Sequence, residues 1–166
     1  MALTDAQKVT LKAHILANPD AIVIAALTDG SHAVLAEWYS SAASPAFIVW
    51  KSHLDTNSIV DSTAFSGAGG FIARTAGERE AYALLVSRGS INPSLATIRQ
   101  KFSDIFSGSG VGAPETRTAL LALSKLSALN VEKVFATGTG TDASPATLVY
   151  EGPVYVSDIG DALATV

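Results

Sequence analysis

Two glycine clusters have the spacing of a phosphate-binding turn. Gly108-Ser109-Gly110-Val111-Gly112-Ala113 and Gly138-Thr139-Gly140-Thr141-Asp142-Ala143 both satisfy G-x-G-x-x-G/A, the pattern in which amides at a helix start meet a pyrophosphate. That fingerprint needs a strand before it and a helix after it. Each cluster instead follows a helix-like stretch, and the second runs into Ser144-Pro145, so neither reads as a nucleotide site. No G-x-x-x-x-G-K-[ST] loop and no G-x-S-x-G nucleophile elbow occurs. His14, His32 and His53 are far apart, none four residues from another, and with no cysteine in the chain no zinc-ligand pair is visible. Glu78-Arg79-Glu80 offers paired carboxylates, but in the first turn of a helix they read as capping and dipole compensation. Arg99, Gln100 and Lys101 make a modest basic spot on an exposed helix face, solvated or paired with a neighbouring subunit. The segment from Phe135 to Leu148 joins a helix-like to a strand-like stretch through small residues suited to backbone contact, and carries no catalytic group. Residues of this kind point away from an enzyme and toward assembly, with no cofactor and no metal.

Composition sets the frame for those residues. A chain of 166 residues fits one domain. Its net charge of -4 gives no general attraction to nucleic acid. Hydrophobic residues are 48% against 16% charged, much of the excess being alanine, which favours helix and leaves a surface able to lie flat against neighbours. The longest apolar run, Ala21 to Leu27, is far shorter than the ~20 residues a membrane span needs. The start, Met1 to Asp5, lacks the basic region and apolar core of a signal peptide, so synthesis and use in the cytosol are expected.

The elements that position these residues are mostly helical. Thr4-Asp5-Ala6-Gln7 has the form of a capping box and opens a helix from about Asp5 to Ala17. Val9, Ala13 and Leu16, with Leu11 and Ile15 adjoining, form its apolar stripe. Further helices are expected over Ala21–Leu27 and Ser31–Ser40, then an extended stretch over Pro45–Lys51. The pattern weakens from Asp55 to Gly70, where Ser66–Gly70 reads as a loop or an assembly-dependent segment. A second capping box, Thr75 to Glu78, opens a helix with Ala81, Leu84 and Leu85 facing inward. Asn92-Pro93 opens the most clearly amphipathic helix, carrying Leu95, Ile98, Phe102, Ile105 and Phe106. Pro114 leads into a leucine-rich helical stretch reaching Leu126 and Leu129, with Asn130 as a break before Glu132–Ala136. A hairpin of Ala146–Tyr150 and Val154–Val156 and a short helix capped by Ser157 close the chain. The expected fold is mainly α, a single-domain helical bundle with a small β-hairpin or extended arms at 44–51 and 137–156. Trp38, Phe47, Trp50, Arg99, Phe135, Leu148, Tyr150 and Tyr155 are the candidate interface residues.

Three blocks carry a resemblance: Leu3–Gln7 with its helix, Asn92-Pro93-Ser94 through Ile105-Phe106-Ser107-Gly108, and Glu132-Lys133-Val134-Phe135 through Glu151-Gly152. Together they cover about half the chain and resemble segments of small structural proteins of tailed bacteriophages. The resemblance implies a non-enzymatic virion component, a ring-forming neck subunit or head-to-tail adaptor, present in the host cytoplasm during assembly. Implied partners are copies of itself and portal, tail or fibre proteins, without membrane or specific nucleic acid. A tail-tip or fibre-attachment protein is the alternative within that class. Outside it stands a small cytosolic protein that binds a host factor.

Overall fold

The computed structural model describes residues 2–60, 74–108 and 112–165. The Ser66–Gly70 loop and the middle of the Gly108–Ala113 cluster lie outside them. Among the described residues the fold is mainly α, with nine helices and short strands. Its contacts gather into two compact units, Met1–Val49 with Ser127–Val166, and Trp50–Leu126.

In the first unit, α1 (Asp5–Ala17) begins at the expected capping box, in which Thr4 Oγ1 accepts from Gln7 N at 3.3 Å and Gln7 Oε1 accepts from Thr4 N at 2.9 Å. Its core face differs from the expected stripe. Leu11 and Ile15 are fully buried, whereas Val9 and Leu16 are 51% and 61% exposed and Ala13 is exposed with them. Both sets repeat at helical spacing on opposite sides of α1, so periodicity alone could not choose between them. α2 (Ala21–Thr28) is capped by Asp20, whose carboxylate accepts from Ile22 N at 2.8 Å. α3 (His32–Ser40) supplies Leu35, Ala36 and Tyr39. These residues join Val131, Val154, Ile159 and Ala162 in one core.

Three strands cross where the chain leaves and re-enters this unit: β1 (Ile48–Trp50) runs between β4 (Lys125–Ser127) and β5 (Ala146–Thr147). Within 44–51, Ile48 N donates to Gly140 O at 2.7 Å and Phe47 O accepts from Ala128 N at 2.8 Å. α8 (Asn130–Phe135) starts at the expected break, but the leucine stretch before it is not one helix, because β4 takes Lys125–Ser127.

The closing hairpin is absent. Only Ala146–Thr147 is strand, and Val154 is satisfied by one side chain: Ser40 Oγ donates to Val154 O at 3.1 Å and accepts from Val154 N at 3.2 Å. With those backbone groups bonded to a hydroxyl, no partner strand is required. α9 (Val156–Ala164) then starts one residue before Ser157, and its orphan amide at Tyr155 donates to the buried Asp158 carboxylate at 2.9 Å.

The second unit pairs β2 (Leu54–Asp55) antiparallel with β3 (Ser90–Ile91) and adds α4 (Thr56–Val60), α5 (Ala76–Val86), α6 (Ala96–Ile105) and α7 (Ala113–Leu123). α5 opens at the expected box: Thr75 N donates to Glu78 Oε2 at 2.8 Å, which fixes Glu78 as a cap. Leu85 packs against the core as expected, and Tyr82 is buried in it, whereas Leu84, 75% exposed, and Ala81 face outward. Tyr82 packs on Phe106 with ring centroids 5.7 Å apart, in a core with Leu54, Ile59, Phe102 and Leu120. An aromatic ring contributes more buried area than an alanine and a leucine at the edge, and it turns the helix accordingly.

Candidate functional site

The loop between α8 and β5 folds around one glycine. Gly140 has φ +66°, and a Cβ there would lie 2.1 Å from the ring of Phe47, well inside contact distance. Phe47 thus sits on bare backbone, and Lys133 Nζ lies 5.8 Å from its ring centroid. Thr139 Oγ1 donates to Ser144 O at 2.9 Å, closing the loop on itself. This is the backbone contact that the small residues of 137–144 suggested, made within the chain.

Glu132 closes the rest of that segment. It is 4% exposed, and its Oε2 accepts from Leu129 N at 2.8 Å while Oε1 accepts from Gly152 N at 2.9 Å. One carboxylate therefore caps α8 and pins the turn at 152, so 137–156 is bonded back into its own unit. Tyr150 Oη donates to Pro153 O at 2.7 Å, and the Tyr150 ring packs on Phe135 at 5.6 Å.

Beside α1 the structure brings together residues that the sequence left scattered. A cleft of about 390 Å³ is lined by His14, Asn18, Asp20, Trp38, Asn130 and Lys133, among others. Two of these residues reach the fully buried Tyr39, whose Oη is 2.8 Å from His14 Nδ1 and 3.3 Å from Asn18 Nδ2. Burial pushes the Tyr39 phenol up to about 12, the Asn18 bond opposing this only in part. Burial, and then the nearby Lys133 charge, hold His14 below its ordinary 6.5. The Asn18 amide donates to the phenol oxygen, and the raised phenol pKa keeps Tyr39 protonated beside the His14 ring. Among the described residues no group of three His, Cys, Asp or Glu could hold a metal ion.

In the second unit the half-buried Arg99 side chain is bonded within the unit. Its guanidinium stacks 4.4 Å from the Trp50 ring, and Nη1 donates to Pro93 O at 2.6 Å and Ser94 O at 2.7 Å. Burial holds its pKa below the ordinary guanidinium value. Arg99 thereby ties the Asn92-Pro93-Ser94 turn to Trp50. Nearby, α5, β3 and α6 enclose a groove of about 750 Å³, with Leu84, Leu85, Leu95, Ile98 and Ile105 along it and Arg88 and Lys101 beside them.

The eight candidate interface residues thus separate. Tyr150 is 2% exposed and belongs to the core. Phe135 and Trp38 are half-buried against that core, Phe47 and Trp50 are held by Gly140 and Arg99, and Leu148 is half-buried. Only Tyr155, at 62%, stands open. Other exposed apolar side chains include Val9 and Leu16 on α1, Ile22 and Ile24 on α2, Leu84 and Leu95 on the groove, and Val149 and Val156 either side of the turn at 152. The helical repeat of those on helices was visible in the sequence, though not which side of each helix the core would take. Comparison with protein-family models, curated proteins and solved structures finds no match to this chain.

Proposed function

We propose that this chain is a non-enzymatic structural subunit of a tailed-phage virion, a ring-forming component of the neck that joins portal to tail. The observation that carries the proposal is the second apolar row of α1. Val9, Ala13 and Leu16 repeat at i, i+4 and i+7 yet point to solvent, opposite the buried Leu11 and Ile15. A helix apolar on two sides is suited to packing on two sides, and one copy covers only one of them. The resemblance of three blocks to tailed-phage structural proteins supplies the particle; the exposed apolar faces supply the reason to assemble.

Two measurements made together test the proposal. Mass spectrometry of purified particles is expected to find peptides of this chain, and solution mass over a range of concentrations is expected to show a closed oligomer or a monomer that assembles. Absence from particles with a stable monomer would overturn it in favour of a protein that binds a host factor.

A further inference from the structure

We infer that the outer face of α2 in one copy of this chain seats in the α5–α6 groove of a second copy. This rests on the reading of the chain as an assembling subunit and names the contact through which it assembles. Between Asp20 and Asp29, α2 carries no charge. Val23 and Ala26 pack inward, while Ala21, Ile24, Ala25 and Thr28 face out, Ile24 being 51% exposed. A helix that is apolar all round belongs in a buried setting, and here half of it is open. Ala21 and Ala25, one turn apart, let another surface come close, and Ile24 beside them is the side chain that would enter a groove.

The groove is complementary in shape and in charge. Leu84 and Leu95 stand open above Leu85, Ile98 and Ile105, and the lining holds Arg88 and Lys101 but no carboxylate. Neither cation is ion-paired among the described residues. The ends of α2 offer the opposite sign, Asp20 and Asp29, about 13 Å apart along the helix. An acidic-ended apolar helix thus meets a basic-edged apolar groove, which steers the encounter and fixes its direction. Because the two patches differ, the contact is head-to-tail, the type that closes into rings when the rotation allows.

The absence of cysteine from the chain makes the contact directly testable. Ile24→Cys and Leu84→Cys chains, both changed at exposed positions, are prepared separately, mixed and oxidised. The expected product is a disulfide-linked pair with one chain of each kind, absent when either is oxidised alone. Links within one variant alone would show a two-fold contact and overturn the inference, as would no link at concentrations where the unchanged chain associates, or a chain that never associates. Arg88→Glu is expected to weaken association about tenfold, and Arg88→Glu with Asp29→Arg in one chain to restore it; failure of that rescue would also overturn it. Flotation of the chain with anionic vesicles, lost on Ile24→Asp, would assign the α2 face to lipid instead. Particle peptides decide the virion reading separately: present without the mixed disulfide, they retire this contact alone; absent with it, they retire the virion and keep the contact.

Discussion

Gly140 and His14 show how much a single position can decide in this chain. A side chain at 140 would meet the Phe47 ring while holding φ at +66°, so Gly140→Ala should cost about 2 kcal/mol or more, combining left-handed strain with overpacking. Gly30 has a similar φ of +68° with nothing within 4 Å of a Cβ, so Gly30→Ala should cost only about 1 kcal/mol. Urea midpoints of the two variants measure the difference. His14 gives the molecule a pH dependence. Burial and Lys133 hold its folded pKa below the ordinary 6.5, so the unfolded chain binds the proton more readily. Its contribution to stability is intact above 6.5 and is lost as pH falls from there through the lowered folded value. His14→Gln should flatten that part of the stability profile, measured by denaturant titration between pH 7.5 and 5.

At the scale of elements, the caps were legible and the faces were not. Thr4/Gln7 and Thr75/Glu78 act over three residues, so sequence contains everything they need. The core side of α1 depends on what α8 and α9 bring, and the core side of α5 depends on Phe106, twenty residues beyond its end. The same reasoning explains the missing hairpin, since Ser40 lies 114 residues before the Val154 groups it satisfies. Glu132 joins two elements in the same way, capping α8 and holding Gly152. Glu132→Ala should therefore cost about 2–4 kcal/mol, leaving two amides without their acceptor, and Glu132→Gln roughly half as much. Thermal unfolding of the pair checks the ratio.

For the whole molecule, the decisive feature is that the first unit is discontinuous. Trp50–Leu126 enters and leaves between Val49 and Ser127, where Ala128 N donates to Phe47 O at 2.8 Å. Ends that close can be rejoined by a short turn. A chain in which 50–126 is replaced by about four Gly/Ser residues should keep the first core, Leu11, Ile15, Leu35, Tyr39 and Ile159 among it, and unfold in one cooperative step. Circular dichroism with denaturant checks this; a non-cooperative transition would mean that the first core needs the inserted residues.

What the sequence determined by itself is what acts over a few residues: helix starts at Thr4 and Thr75, the extended stretch before Trp50, and the lack of a phosphate loop or nucleophile elbow. Tertiary structure decided which side of each helix is core, because α1 carries apolar residues on both sides and only neighbours distant in sequence can cover one. It also gave Arg99 and Phe47, both half-buried, their partners within the chain, since Trp50 and Gly140 become their neighbours only on folding. The apolar rows left open on α1 and α2 follow from the same physics: periodicity places a residue on a face, and burial of that face requires a partner surface.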